Sequence, residues 1–377
     1  MNQERIDVFM KKIYAKKAAG RVLLALSLMT ASVWSTAPAV DAASRAEVAA
    51  IHVQKAADFK YWNANSPTIA ALTQFVENAV NPASKNYIPP EARIATFDLD
   101  GTLYCETAPY YFQEMMFLQR ALEDQNYQAS PEMKAIAQQV KPYIMDKKPI
   151  PKELGAKLSK AIPKAYKGMT PAEYKSYVQK FMDTNEIGLS NLKRGEAYYL
   201  PMVEIVSYLE SNGFTVFLNS ACEREILRAL AEDVLHIPYW HMIGSNVAYT
   251  TTAMKPGETP DKHTFDKAKD KIVRTDKFLG ENGKTSKAFS NIVEIGQQPV
   301  LSFGNSSGDV GMLEYTLQNN RYPSMAFFVL CDDTERELGN LEKASKLKAT
   351  AVKNGWHTIS MHEEFKTIYG DNVKRTK

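Results

Sequence analysis

The chain is poor in the residues that build transition-metal sites or disulfide-stabilised folds. Its 377 residues include only 3 cysteines and 6 histidines. Neither set shows the close spacing that is typical of zinc ligands, so the sequence argues against a zinc site. In a monomer an odd number of cysteines leaves at least one thiol unpaired. The sequence leaves open whether two of Cys105, Cys222 and Cys331 form a disulfide.

The chain also lacks a strong excess of charge of either sign. Lysine and arginine total 46 against 43 aspartate and glutamate, a formal net charge of +3. This balance argues against a nucleic-acid-binding surface. The sequence shows no internal repeat and, after its first 42 residues, no apolar stretch long enough to span a bilayer. A hydrophobic content of 45% is ordinary for globular proteins, and the length allows one large domain or two of average size.

The N-terminal region has the layout of a secretory signal peptide. Basic residues between positions 11 and 21 precede a short apolar stretch at 22–29 and then small residues. We predict a signal peptide over residues 1–42, with cleavage after Ala42 or, as second choice, after Ala39. The alternative is an uncleaved anchor, although the apolar stretch falls short of the ~20 residues that a spanning helix needs. We therefore expect an exported protein, periplasmic or extracellular, without stable membrane insertion after cleavage.

The remainder of the chain alternates between helical and strand patterns. A helical leader is predicted for residues 43–92, because residues 66–81 carry apolar side chains at helical spacing. Residues 104–194 are almost wholly helical in pattern, and the sequence Thr170-Pro171-Ala172-Glu173 predicts a capped helix start. Strands are predicted at 94–97, 215–218, 300–303 and 325–330, and further helices at 202–209 and 223–234.

This alternation predicts an α/β fold with a mainly parallel sheet. Residues 255–287 are polar and rich in lysine, so we predict a solvated excursion there.

Two acidic residues stand directly after the first predicted strand. Asp98 and Asp100 follow the apolar residues 94–97, and Gly101 then allows a sharp turn. In open α/β sheets, ligands bind beyond the carboxyl ends of the strands. The position therefore favours a functional site, the alternative being an Asp-Gly turn that merely ends a strand.

Polar residues follow the next two strands as well. Ser220 follows the strand at 215–218, and Asn305 and Asp309 follow the strand at 300–303. The carboxyl ends of parallel strands meet at one edge of the sheet, so we expect these side chains to lie together. Clustered carboxylates without histidine or thiolate favour a hard cation, and we predict Mg²⁺. Such an ion would offset the repulsion between the carboxylates and the charge of a phosphate group.

These motifs resemble those of the haloacid dehalogenase superfamily of phosphohydrolases. Residues 98–102 resemble its first motif, Asp-x-Asp-Gly-Thr, and residues 216–220 its second, a strand ending in Ser or Thr. Residues 304–309 resemble the acidic motif of a phosphoserine-phosphatase-like branch. The resemblance implies a Rossmann-like doubly wound parallel sheet, built from residues 93–103 and 195–377. It also implies an inserted helical cap at 104–194.

The resemblance also implies individual roles. Asp98 would be the nucleophile and Asp100 the residue that protonates the leaving group and then activates water. Ser220 would hydrogen-bond a phosphoryl oxygen. Mg²⁺ would be bound by Asp98, the backbone carbonyl of Asp100, Asn305 and Asp309.

Two candidate cationic positions stay open in the sequence. A lysine would neutralise charge in the transition state; Lys287 is the first choice, Lys284 the second and Lys255 the third. Arg224, on the helix after Ser220, is a candidate for binding phosphate, and the alternative is an ordinary solvated arginine.

We therefore expect an exported, Mg²⁺-dependent phosphomonoesterase that hydrolyses a small phosphorylated metabolite through an aspartyl-phosphate. One alternative is a haloacid dehalogenase, against which Asp100 argues because that carbon chemistry needs no second acid. Another is an exported small-molecule-binding protein without turnover. The substrate stays open among phosphoserine, phosphocholine and sugar phosphates, because specificity depends on cap side chains that no motif identifies.

Overall fold

The computed structural model describes residues 42–106 and 108–376. Apart from Ala42, the predicted signal peptide therefore lies outside the described residues. Within the described ranges no helix has both the length and the apolar character needed to cross a bilayer. All three cysteines are described, and none of them forms a disulfide.

The described chain begins with two α-helices, and the second coincides with the helical spacing at residues 66–81. Helix α1 is Arg45–Ala49 and helix α2 is Pro67–Val80. The hydroxyl of Ser66 accepts a hydrogen bond from the backbone N–H of Ile69 at 3.1 Å and so caps the first turn of α2. A proline at the first helical position costs nothing there, because that N–H has no partner within the helix.

Strand β1, Ile94–Phe97, is fully buried and is followed by the predicted helical insert. The insert contains four helices: α3 (Phe112–Leu122), α4 (Pro131–Met145), α5 (Lys152–Ala165) and α6 (Pro171–Met182). The predicted start of α6 is confirmed, since Thr170 and Glu173 each accept a hydrogen bond from the other's backbone N–H.

The α/β pattern resumes after the insert, where the predicted strands and helices are all found. The strand that was predicted at 215–218 continues to residue 223, so it is longer than expected. The remaining elements are β2 (Leu189–Ser190), α7 (Leu200–Ser211), β3 (Thr215–Glu223), α8 (Arg224–Ala231), β4 (Met242–Ser245), β5 (Val247–Thr251), β6 (Ile272–Phe278), α9 (Thr285–Ser290), β7 (Leu301–Gly304), α10 (Val310–Leu317), β8 (Met325–Leu330), α11 (Leu341–Asn354), β9 (His357–Ser360), α12 (Met361–Glu364) and β10 (Lys374–Arg375).

The centre of the fold is a six-stranded sheet in the order β4-β3-β1-β7-β8-β9. All of its neighbouring pairs are parallel. Strand β1 is flanked by β3 and β7, the two other strands for which the sequence predicts a functional residue at the carboxyl end. The predicted α/β fold with a parallel, Rossmann-like sheet is confirmed.

Both faces of the sheet are covered by helices, as the term doubly wound implies. Side chains alternate between the two faces of a strand. In β8, Phe327 and Val329 belong to the main apolar core, which also includes Ile205 of α7. Phe328 belongs instead to a second apolar cluster, which includes Ala351 of α11. Parallel strands buried on both faces are expected to be continuously apolar, as β8 is.

The prediction of a solvated excursion at 255–287 is wrong for part of that segment. Strand β6 pairs antiparallel with β5 to form a hairpin, and α9 follows it. The hairpin is attached to the helical insert by backbone hydrogen bonds, from Arg274 N to Met169 O at 2.8 Å and from Gly168 N to Arg274 O at 2.9 Å. The sequence of this segment shows no clear strand pattern, because the buried side chain in the middle of β6 is the charged Arg274.

The N-terminal leader packs on the end of the sheet. The carboxylate of Glu364 in α12 accepts hydrogen bonds from Ser66 Oγ at 2.6 Å and from the backbone N–H of Thr68 at 3.0 Å. The indole of Trp62 lies edge-on against the ring of Phe365, with centroids 5.0 Å apart. Residues near both ends of the described chain therefore share one buried interface.

Candidate active site

The three predicted strand ends meet at one edge of the sheet. Asp98 follows β1, Ser220 lies within β3 beyond its last pairing with β1, and Asn305 follows β7. The backbone N–H of Asp98 donates to the carbonyl of Phe303 at 3.0 Å, which fixes the Asp98 backbone against β7. The parallel register of β3, β1 and β7 therefore brings together residues that are more than 200 positions apart in sequence.

Lys287 lies at the centre of this cluster. Its Nζ donates to Asp98 Oδ1 at 2.6 Å and to Asp309 Oδ1 at 2.5 Å, and all three side chains are buried. Lys284 lies on the cavity wall, and Lys255 lies in the exposed loop of the β5–β6 hairpin. Of the three lysines left open by the sequence, Lys287 is thus the one that the structure places between the carboxylates.

The electrostatics of the cluster follow from this burial. Burial and the neighbouring Asp309 raise the pKa of Asp98 to about 6, although Lys287 opposes the shift. Burial and the nearby Asp98 raise the pKa of Asp100 well above its ordinary range. Burial alone would lower the pKa of Lys287, but the two carboxylates raise it above its usual value. Burial therefore favours the neutral form of Asp100, and the two carboxylates favour the charged form of Lys287.

Asp309 organises the loop after β7. Its Oδ2 atom accepts hydrogen bonds from the backbone N–H groups of Asn305 and Ser306, both at 2.9 Å, while Oδ1 accepts from Lys287. Both oxygens therefore have protein partners. The geometry gives Asp309 the task of orienting Asn305 and Lys287.

Gly101 is required for the close approach of this loop to the turn after β1. Its φ is +80°, and a Cβ added at this position would lie 1.8 Å from Asn305 Nδ2. Any other residue would displace the Asn305 amide from the carboxylates.

Ser220 is oriented as a donor toward the cavity. Its Oγ accepts a hydrogen bond from the backbone N–H of Cys222 at 3.2 Å, which leaves the hydroxyl hydrogen available. Ser220 lies on the same cavity wall as Asp98 and Lys287. It can therefore donate to an anionic oxygen bound there.

The remaining oxygen donors suit a small hard cation. Asp98 contributes a carboxylate oxygen, Asp100 a backbone carbonyl and Asn305 an amide oxygen. The buried Oδ1 of Asp100 has no hydrogen-bond partner among the described residues, so this side chain stays available for proton transfer. In the described part of the chain, no group of three or more His, Cys, Asp and Glu side chains is arranged as a metal site. Mg²⁺ does not require one, because it is usually held by one or two carboxylates together with water and substrate phosphate.

Arg224 is the predicted site residue that the structure does not bring to the cavity. Its guanidinium pairs with Glu294 at 2.5 Å, and it is absent from the residues that line the cavity. The extension of β3 to residue 223 explains this placement, because Arg224 begins its helix beyond the strand end instead of beside Ser220.

The cluster forms one wall of a cavity of about 1020 Å³ between the sheet and the helical insert. Tyr111, Phe112 and Glu114 of the insert also line this cavity, as does Phe278 of the hairpin. Burial raises the pKa of Glu114 to about 7. The hairpin is therefore a second contributor to the wall, which the sequence did not indicate.

A lysine of the core contacts the insert across the same cavity. Lys343 Nζ lies 3.2 Å from both carboxylate oxygens of Glu106, the residue that leads into the insert, and both side chains line the cavity. Tyr111 OH donates to the same carboxylate at 3.0 Å. This chain of contacts joins α11 to the base of α3.

Sequence reasoning missed several buried polar residues around the site. Glu223 accepts two hydrogen bonds from Arg274, at 2.5 and 2.9 Å, and the guanidinium carbon lies 3.6 Å from the ring centroid of Tyr174. Asn219 and Asn282 form a second buried group beside Ser220. Asn219 could have been noticed as a polar residue in an apolar strand, but Asn282 lies in a polar segment where an asparagine carries no signal.

Comparison with known proteins leaves the activity unassigned. No family model matches the chain, and no curated protein matches it. A conserved protein of unknown function from Anaerococcus prevotii DSM 20548 is 14% identical; the match covers 80% of this chain and 94% of that one, with a TM-score of 0.49. A cytosolic 5'-nucleotidase IIIB bound to cytidine is 11% identical, with coverage of 78% and 86% and a TM-score of 0.44.

A phosphoserine phosphohydrolase-like protein from Francisella tularensis subsp. tularensis SCHU S4 is 16% identical. The match covers 68% of this chain and 99% of that one, with a TM-score of 0.34. With identities no higher than 16% and TM-scores no higher than 0.49, these likenesses do not assign an activity. The geometry of the cluster around Lys287 has to carry that argument.

Proposed function

We propose that the chain is a phosphomonoesterase of the haloacid dehalogenase superfamily, which uses Asp98 as nucleophile and requires Mg²⁺. The substrate is a small organic phosphate that fits between the sheet and the helical insert. Residues 304–309 have the form of the acidic motif found in the phosphoserine-phosphatase-like branch, and this supports assigning the chain to that branch of the superfamily.

The observation that carries the proposal is the bridge from Lys287 to Asp98 and Asp309 at the cavity wall. A buried lysine between two carboxylates supplies positive charge where a transferred phosphoryl group gains negative charge. The same lysine lowers the pKa of Asp98 against the effect of burial, and so keeps this carboxylate ionised and nucleophilic.

The chemistry is assigned to the two acids by their surroundings. Asp98 attacks phosphorus, and the bond between phosphorus and the ester oxygen breaks. Asp100, whose protonated form is favoured by burial, gives its proton to the leaving oxygen. As a carboxylate, Asp100 then takes a proton from the water that attacks the aspartyl-phosphate, and inorganic phosphate leaves. Ser220 donates a hydrogen bond to a phosphoryl oxygen throughout.

Asp98, the backbone carbonyl of Asp100 and Asn305 are the proposed ligands of Mg²⁺. The sequence also predicts Asp309 as a ligand, but both of its carboxylate oxygens accept hydrogen bonds within the protein, so we propose that it orients the other groups instead. The bound ion would supply charge neutralisation for the phosphate and for the Asp98 carboxylate. Asp309 holds Asn305 in place through its backbone N–H.

The helical insert is proposed to act as the cap. Its side chains line the same cavity as the catalytic residues, and a closed cap would exclude water that could compete with Asp98 for the phosphoryl group. A carboxylate such as Glu114 in the cavity lining contributes to the choice of substrate.

Export, with cleavage after Ala42, is proposed from the sequence pattern of residues 11–42. N-terminal sequencing of the secreted protein tests this part of the proposal. Intact residues 1–42 would contradict it.

Hydrolysis of p-nitrophenyl phosphate tests the proposal. We expect turnover with Mg²⁺ that is lost in EDTA and restored by added Mg²⁺. Asp98→Asn should abolish turnover, and Asp100→Asn should reduce it by about 10²–10⁴-fold, as expected for loss of a general acid and base.

Asp270→Asn is the matched control, because Asp270 is also a buried, hydrogen-bonded carboxylate but lies outside the cavity lining. It should keep wild-type activity. Metal-independent turnover, or full activity in Asp98→Asn, would contradict the proposal. Retention of the ester without product would identify a binding protein instead.

A further inference from the structure

Asn282 lies at the junction between strand β3, which carries Ser220, and the helix that carries Lys287. Its side chain is buried, with 6% of its surface exposed. It stands in the loop between β6 and α9, two residues before Lys284. A buried amide must place its donors and acceptor on specific partners, because each unmet group costs free energy.

Each polar group of the Asn282 side chain has a partner. Its Nδ2 donates to Asn219 Oδ1 at 2.8 Å and to the backbone carbonyl of Ser220 at 3.0 Å. Its Oδ1 accepts from Ser290 Oγ at 2.6 Å. The amide therefore spans from strand β3 to the end of α9.

The backbone of Asn282 is linked through Ser245 to the next peptide of β3. Its N–H donates to Ser245 Oγ at 2.9 Å, and Ser245 Oγ donates to the carbonyl of Ala221 at 2.7 Å. Two consecutive carbonyls, of Ser220 and Ala221, are thus directed toward Asn282 or its partner. Because a peptide unit is planar, fixing its carbonyl also fixes the N–H on its other side.

The same network reaches the helix of the catalytic lysine. Asn219 Nδ2 donates to the backbone carbonyl of Lys287 at 2.9 Å and to Asn291 Oδ1 at 2.7 Å. A continuous path of buried hydrogen bonds therefore runs from the backbone of Ser220 through Asn282 and Asn219 to the backbone of Lys287.

We infer that Asn282 is a positioning residue: its amide holds Ser220 and Lys287 in register, so that both reach the same phosphoryl group. Asn282 itself does not line the cavity and touches no reacting atom. The inference rests on the proposed function, because it assigns Asn282 a task in that reaction. Displacing a catalytic group by about 1 Å can cost about 10²-fold in rate. Hydrogen bonds that hold two catalytic groups in place therefore matter for turnover.

The experiment compares Asn282→Ala with Asn320→Ala. Asn320 is the matched control, since its Nδ2 also donates to two backbone carbonyls, of Pro299 and Thr316, while its Oδ1 accepts from Tyr322 N. It is partly buried and outside the cavity lining. We expect Asn282→Ala to lower kcat on p-nitrophenyl phosphate by about 10–100-fold with KM changed little, and Asn320→Ala to leave both constants near wild type.

Two further variants keep the test decisive if Asn282→Ala folds poorly. Asn282→Asp keeps the shape but replaces the two donors with an acceptor, and should lose kcat as the alanine variant does. Ser290→Ala removes only the hydrogen bond to Asn282 Oδ1 and should lower kcat by a few fold at most. Circular dichroism and the melting temperature report folding for each protein.

Vanadate and inorganic phosphate give a readout that a purely structural role would not change. Vanadate adopts the geometry of the transition state, so its affinity should fall in Asn282→Ala in proportion to kcat, whereas phosphate affinity should stay near wild type. Equal losses in the Asn282 and Asn320 variants, or parallel loss of vanadate and phosphate binding, would overturn the positioning role. An inactive wild-type protein would instead overturn the proposed function itself.

Discussion

At the scale of single residues, the site depends on burying charges next to their partners. Asp98 and Asp309 are both buried, and each has Lys287 as its cationic partner at 2.6 Å or less. Two buried carboxylates without a cation would repel each other and lose hydration. One lysine therefore serves both the stability of the site and the proposed chemistry.

The lysine assignment gives a direct prediction. Lys287→Met should lower kcat by about 10²–10³-fold, the usual effect of removing one group that stabilises transition-state charge. It should also lower the melting temperature, because Asp98 and Asp309 lose their shared partner. Steady-state kinetics and thermal unfolding, each with Mg²⁺ present, measure the two effects.

Lys284→Met is the control for this substitution. Lys284 lies on the same cavity wall and on the same segment, but the carboxylates are bound by Lys287. We expect turnover close to wild type. Loss of activity in Lys284→Met with retention in Lys287→Met would reverse the assignment.

At the scale of secondary-structure elements, the hairpin and the helical insert pack together and both line the cavity. Arg274 of β6 pairs with Glu223 at the end of β3 and lies against Tyr174 of α6. The sequence did not predict this connection, since an isolated arginine in a polar segment resembles a solvated charge. Its burial depends on a glutamate 51 positions away.

Breaking this ion pair should destabilise the protein. Arg274→Met leaves the Glu223 carboxylate buried without its cation, and we expect a loss of about 3–5 kcal/mol in the free energy of unfolding. Urea denaturation followed by circular dichroism measures it.

Lys167→Met is the control, because Lys167 and Asp276 also join the insert to the hairpin, but both are exposed. That pair should contribute no more than about 1 kcal/mol. Equal effects of the two substitutions would show that the buried pair does not hold the hairpin.

At the scale of the whole molecule, the N-terminal leader and the last strands form one structural unit with the sheet. Glu364 accepts hydrogen bonds from Ser66, from the backbone and hydroxyl of Thr68, and from Ser360 N. The leader was predicted as a separate segment before the core. Its role in completing the core follows from contacts between residues about 300 positions apart.

Removing this acceptor should weaken the entire fold. Glu364→Ala leaves several buried donors unpaired, and we expect a loss of roughly 2–4 kcal/mol of stability in a single cooperative transition. Glu363→Ala is the control, since its side chain is exposed and should change stability by less than about 0.5 kcal/mol. A separate early transition in Glu364→Ala would mean that the leader unfolds on its own.

The sequence by itself determined the elements whose signals are local. The apolar run before Asp98, the capping box at Thr170 and the alternation of strands and helices gave the parallel α/β fold, because periodicity and capping depend only on neighbours in the chain. The acidic and hydroxyl residues at three strand ends gave Asp98, Asp100, Ser220, Asn305 and Asp309 as candidates, which the structure brings to one edge of the sheet.

Only the tertiary structure decided between residues of the same type. Lys287, Lys284 and Lys255 are equivalent as side chains, and only the packing of α9 against α10 and β3 places Lys287 between two carboxylates. In the same way Arg224 is turned toward Glu294, Arg274 is buried, and Asn282 meets Ser220. Each of these outcomes depends on a partner far away in sequence, and the energy of a buried polar group is set by that partner.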